Sequence, residues 1–290
     1  MSEILSTLIL FLINGLVFGF ILTLIALGLT LIFGVMRIVN MAHGDLYMIG
    51  AVISYFVLTF GGTFIISLLF TPLVVFAISY LIERFVLRPF EGNPINTMII
   101  TLGLSFIIQQ VALITYGGVP RVIPEPWQVS FQLYGVQYSG YRLLVAIVSA
   151  IILTALWFFL HKTTYGIFIR ATIQDSELAC ATGIDTNKVI SFTFALGGVL
   201  AALGGVLAAP ITQVFYLMGN SIILIAFIIV IVGGLGSLKG TLIIALLLST
   251  LEGVLTVAFR PAEVRIITLI VMVITLLLRP SGLFGAKLQV

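Results

Sequence analysis

Charged residues make up only 8% of this 290-residue chain, where soluble domains carry about 25%. That scarcity excludes a soluble fold, and 61% apolar residues with a mean hydropathy of +1.31 say the same. There is one cysteine, Cys180, so no intrachain disulfide can form. The two histidines, His43 and His161, stand far apart, and no His-Glu-x-x-His occurs on any helix. A metal site or a membrane protease would need more ligands than this, so none is expected. A nucleotide site is missing too: in Gly234-Leu-Gly-Ser-Leu-Lys239-Gly240-Thr241 the lysine is followed by glycine, not by Ser or Thr. Those glycines read instead as a tight turn with close helix approach. No cofactor, nucleic acid or catalytic pairing is implied, and the chain does not read as an enzyme. Met1-Ser2-Glu3 lacks the basic start of a cleaved leader, so the first apolar run is expected to be a retained span.

Long apolar runs are what the chain has in abundance. A spanning helix takes roughly 20 residues, which leaves room for about eight to ten spans and for no soluble catalytic domain. Backbone groups in lipid must bond within the segment, and unbroken apolar runs exclude alternating barrel strands. The expected fold is all-α: one polytopic membrane-embedded domain over residues 1–290. Spans are placed at 4–33, 46–60, 64–82, 95–116, 141–160, 189–209, 221–232, 241–259 and 266–278. The second and seventh are short for a full crossing, so a tilted, broken or re-entrant path is open for each.

Basic residues divide unevenly between the two sides. Arg37, Arg84, Arg88, Lys162, Arg170, Lys188, Lys239, Arg279 and Lys287 fall on one, and Arg121, Arg142, Arg260 and Arg265 on the other. Nine against four places the first set in the cytoplasm, the N-terminus outside and the C-terminus inside. The net charge of +3 follows from that bias and needs no acidic partner.

The most informative stretch is 171–207. Arg170, Asp175, Glu177, Asp185 and Lys188 cannot sit in hydrocarbon, so an aqueous cytoplasmic loop is expected here. Asp175 is placed to cap a short helix over 176–182 that Gly183 would stop, and Asp185 to cap the helix that follows. A short helix across the mouth of a bundle is a handle for a soluble partner. On the other side, a proline-rich outer loop at 118–140 holds Trp127 and a hairpin-like FQLYGVQYSG.

Polar residues elsewhere are few. Asn40, His43, Gly44 and Asp45 lie between two apolar runs, either as a solvated turn with Asp45 capping the next helix or as a non-helical piece inside the bundle. Glu252 is the one carboxylate that hydropathy places deep in a span, and should face the bundle or a pore. Gln109 and Gln110 are cheaper polar groups that can face inward. Gly197-Gly198, Gly204-Gly205 and Gly233-Gly234 supply faces for close helix packing.

With these residues in view, the chain resembles the permease subunits of bacterial ATP-driven importers for branched-chain amino acids, the smaller of two such permeases. The stretches that carry the likeness are GLTLIFGVMRIVNMAHGDLYMIGA (28–51), ERFVLRPFEGNP (83–94), TTYGIFIRATIQDSELACATGIDTNKV (163–189), GGLGSLKGT (233–241) and LLLRPSGLFG (276–285). The resemblance implies an ATPase-coupling loop of the form Glu-Ala-Ala, three residues, Gly. Glu177, Leu178, Ala179 and Gly183 match it, with leucine in the first alanine position; the later Ile-x-Leu-Pro is replaced by Thr193-Phe194-Ala195-Leu196. It also implies a second permease, two ATP-binding subunits, a periplasmic binding protein and an inner-membrane location. A substrate path through Asn40, His43, Gly44, Asp45 and Glu252 would suit a zwitterion. Importers for urea or short amides share this architecture and stay open. An ion-coupled secondary transporter would call for more intramembrane ionisable groups than Glu252 and no docking loop.

Overall fold

The computed structural model describes residues 2–90, 92–133 and 136–285. Lys287, counted above with the cytoplasmic residues, lies outside them. The described chain forms α1 (Ser2–Met36), α2 (His43–Thr59), α3 (Phe64–Leu81), α4 (Pro94–Tyr116), strands β1 (Ser130–Leu133) and β2 (Val136–Ser139), α5 (Gly140–Lys162), α6 (Thr164–Gln174), α7 (Ser176–Ala181), α8 (Thr186–Ala208), α9 (Met218–Gly233), α10 (Leu238–Leu255) and α11 (Pro261–Leu278). Seven helical stretches are long and apolar enough to cross a membrane: α1, α3 with its extension, α4, α5, α8, α10 and α11. The two segments expected to be short are α2, with 17 residues, and α9, with 16.

The core is built around α1 and α8, and small residues let them meet. A Cβ on Gly28 would stand 2.5 Å from the Gly197 carbonyl, and Ile25 packs on Gly204. The opposite face of α8, through Gly198 and Gly205, takes Leu46, Tyr47 and Ala51 of α2. The glycine pairs thus place one glycine on each side of α8, so two helices approach it at once. The outer faces of α3, α4, α5 and α11 carry exposed Ile, Leu and Phe, as a surface solvated by lipid should.

Several boundaries differ from the sequence expectation. The third span does not stop near residue 82. It runs on as a π-helical turn, Ile82–Leu87, and a 3-10 turn, Arg88–Phe90, which brings Glu83 into the protein instead of a loop. α10 ends at Leu255, so Val257 and Phe259 lie past it despite their apolar character. An eleven-residue helix, α6, fills a stretch read as part of a loop. It starts on the Thr163 hydroxyl, which accepts from the Gly166 N–H at 3.1 Å, and Arg170 reaches back to the Leu160 carbonyl. The hairpin forms as expected, with Ser130 opposite Ser139 and Phe131 opposite Tyr138.

The loops segregate to two ends. Arg37 shares a cavity with Ser237 and Phe284, and Arg170 shares another with Lys239. At the other end Arg121 pairs its backbone with Val214, and Arg265 donates to the Ser221 carbonyl at 3.3 Å.

Candidate functional site

Two places in the bundle carry the polar chemistry. The first is the capped turn at 175–188. The Asp175 carboxylate accepts from the Leu178 N–H at 2.9 Å and so opens α7. Gly183 closes it with φ +91, its N–H on the Cys180 carbonyl while the Ile184 N–H bonds the Ala179 carbonyl. That pair of bonds is a Schellman ending, and it needs a residue free to adopt positive φ. Asp185 then caps α8 on the Lys188 N–H at 3.2 Å and pairs with the Lys188 ammonium at 2.8 Å. Those contacts hold the Asp185 carboxyl below the usual carboxylate range. Three turns of chain are therefore locked by three side-chain or glycine devices, each at the position expected from sequence. Ala179 packs inward, while Leu178 stands 63% exposed on the outer face of α7.

The second place is the stretch between α1 and α2. Asn40, His43 and Asp45 are 1%, 0% and 2% exposed, so the segment is not a solvated turn. Asp45 does not cap α2 either. The N-cap position is Ala42, without a side-chain bond, and the Asp45 carboxylate is engaged elsewhere. His43 Nε2 lies 2.9 Å from the Ile25 carbonyl, eleven residues before the end of α1 at Met36. Eleven residues of helix rise about 16 Å, so the chain turns at Arg37, which has φ +53, and climbs back along α1 before α2 begins. α2 thus starts inside the bundle. A Cβ on Gly44 would collide with the Gly219 carbonyl, so the first turns of α2 and α9 lie against each other.

A polar stripe on α4 faces this junction. Thr97, Thr101, Ser105 and Gln109 recur every four residues and are all buried, which puts them on one side of the helix. The Thr101 hydroxyl accepts from the Met41 N–H at 3.2 Å. Gln109 Nε2 lies 3.0 Å from each of three oxygens, those of Asp45, Ser105 and Asn220. An amide nitrogen has only two hydrogens, so it serves two of the three at a time, and the Ser105 hydroxyl is a further donor to Asp45. The buried Asn40 Nδ2 and His43 Nδ1 have no partner among the described residues. Gln110, one residue on, faces outward.

Glu252 sits apart from this junction, in the last turn of α10. It is half-buried and accepts from the Thr268 hydroxyl of α11 at 2.8 Å. Sequence reasoning missed Glu83 and Arg88. Glu83 is fully buried and gripped by Arg88, which also bonds the Asn187 carbonyl and the Ser191 hydroxyl at the start of α8. The signal was present as a Glu and an Arg five residues apart on a helical continuation. Among the described residues, no three His, Cys, Asp or Glu side chains come together as a metal site would need.

Residues 11–276 match the protein family described as "Branched-chain amino acid transport system / permease component". The chain belongs to that family. It is 29% identical to the high-affinity branched-chain amino acid transport system permease protein BraD of Pseudomonas aeruginosa, over 94% of each chain. It is 28% identical to the permease protein LivH of Escherichia coli K12, again over 94% of each. A probable branched-chain amino acid transport permease of Methanocaldococcus jannaschii is 29% identical over 94% of this chain and 91% of its own. The ribose import permease RbsC of Bacillus subtilis matches more narrowly, at 28% identity over 54% of each chain. No solved structure matches the chain.

Proposed function

We propose that this chain is a membrane permease subunit of an ATP-driven importer and forms, with a second permease, the path for leucine, isoleucine and valine into the cytoplasm. Similarity to branched-chain amino acid permeases along 94% of the chain carries this reading. The N-terminus is outside and the C-terminus and 175–188 turn are in the cytosol of the inner-membrane-bound protein, as the nine-to-four division of Lys and Arg favours. One of two ATP-binding subunits docks on α7, and a periplasmic binding protein delivers the ligand to the opposite end.

The coupling reading rests on stiffness. A helix capped at both ends transmits a push as a body, and the short turn 182–185 joins α7 to α8, which packs against α1, α2 and α3. Arg88 ties the first turn of α8 to the end of α3. A displacement at Asp175, Glu177, Leu178, Ala179 and Gly183 therefore reaches the helices around the buried junction. There Asn40, His43, Gly44 and Asp45 offer polar groups to a zwitterion in transit.

The test is uptake in cells. Deleting the gene should abolish high-affinity uptake of radiolabelled leucine, isoleucine and valine, and the cloned gene should restore it. Loss of urea or acetamide uptake with leucine uptake intact would contradict the substrate class.

A further inference from the structure

At the end of the bundle that carries the outer hairpin, two cavities of about 300 and 330 Å³ adjoin, and Phe18 and Glu252 line both. Small-molecule sites begin at roughly 300 Å³. The larger holds Arg265 of α11; the smaller holds Arg142 of α5. Among the described residues the ion pairs are Arg88 with Glu83 and Lys188 with Asp185. Glu252, Arg142 and Arg265 belong to neither. One carboxylate and two guanidinium groups thus line a shared space without neutralising each other.

We propose that the larger cavity is a binding site for a free aliphatic α-amino acid, its ammonium on Glu252, its carboxylate on Arg265 and the first turn of α9, and its side chain against Phe18, Ile222 and Ile225. Glu252 Oε1 already accepts from Thr268, which leaves Oε2 for the ammonium. Arg265 is held over α9 by its bond to the Ser221 carbonyl. That turn has no side-chain cap, since Leu217 stands at the N-cap; Met218 and Ser221 from it line the cavity. The Met218 and Asn220 N–H groups bond the Phe215 and Leu217 carbonyls, so the Arg265 guanidinium makes the direct contact with the carboxylate and the positive end of the α9 dipole reinforces it. The apolar part of the lining, Phe18, Ile222 and Ile225, suits a branched hydrocarbon chain. The ammonium and carboxylate share one carbon, so their contacts with Glu252 and Arg265 fix that end of the ligand, which is received in one orientation before it moves toward the Gly44–Gly219 contact. The site deepens the transport reading above and rests on it for the identity of the ligand.

The experiment is protection from alkylation in the full importer, with Cys180→Ser as background and Gln213→Cys as the reporter at the cavity rim. L-leucine should slow alkylation in a saturable way. Glu252→Gln should raise the half-protecting leucine concentration at least tenfold yet leave protection by 4-methylpentanoate, which has no ammonium, unchanged. Arg265→Gln should weaken leucine and 4-methylpentanoate together and spare 3-methylbutylamine, and Arg265→Lys should recover part of the loss. Leucine protection within twofold of the parent in both Gln variants would overturn the site, as would equal protection by all three compounds. Absent protection with leucine uptake intact overturns the site alone; absent leucine uptake with protection intact overturns the transport reading alone.

Discussion

Arg88 grips both carboxylate oxygens of Glu83, Nε to Oε1 at 3.3 Å and Nη2 to Oε2 at 3.1 Å, at the π-helical end of α3. The same guanidinium reaches the Asn187 carbonyl at 3.0 Å on α8. One side chain therefore neutralises a buried charge and fastens two helices beside the proposed docking turn.

Removing one partner should be costlier than removing both. Arg88→Ala leaves the Glu83 carboxylate buried and unpaired, a loss of about 3 kcal/mol or more. The double variant Glu83→Gln, Arg88→Met should recover most of that. Thermal unfolding of the purified importer checks it, and equal destabilisation by the single and double variants would contradict the pairing.

Gly183 provides a second test. Nothing lies within 4 Å of a Cβ built there, so a side chain meets no neighbour, only the positive φ of +91. Gly183→Val should strain the turn by roughly 1 kcal/mol or more and lower substrate-stimulated ATP hydrolysis while the protein still inserts. Gly183→Asn, which tolerates that conformation better, should keep most of the activity. Full stimulation in the Val variant would remove the turn from the coupling route.

The buried junction should govern rate more than affinity. Asp45→Asn and Gln109→Leu each disturb the shared amide at 3.0 Å. Both are expected to cut maximal leucine uptake about tenfold, a change of about 1.4 kcal/mol in barrier, with little change in the half-saturating concentration set upstream. Parental uptake at matched membrane expression would reduce these residues to packing.

Topology is checked by labelling. In a Cys180→Ser background, Asp185→Cys should react with an impermeant maleimide only after the cytosolic face is opened. Glu125→Cys, in the segment that leads from α4 into the hairpin, should react in intact cells. Reaction of Asp185→Cys from outside would reverse the orientation.

Much of this was legible in the sequence because the physics is local. Unbroken apolar runs gave the spans, and Asp175, Gly183 and Asp185 gave the capped turn through the bonds each makes within three residues of chain. What escaped depends on partners distant in sequence or on tertiary packing. Glu83 reads as a loop residue because hydropathy penalises the carboxylate without crediting Arg88. Helix α6 begins with Thr164 and Gly166, poor helix formers, and is held by its return onto the end of α5. The α4 stripe of Thr97, Thr101, Ser105 and Gln109 was visible as a four-residue period, yet its meaning appears only with Met41 and Asp45 opposite. Asp45 looked like a cap because acidic residues often are; its real partner is 64 positions away.

The central claim is that ATP closure outside the membrane, acting on α7, moves a branched-chain amino acid through this chain. The most direct measurement is leucine uptake by proteoliposomes holding the complete importer, with binding protein outside and ATP inside. The expected result is uptake that requires enclosed ATP, persists when ion gradients are collapsed, and falls at least tenfold with Gly183→Val. Uptake that proceeds without ATP and follows a proton or sodium gradient would contradict the account.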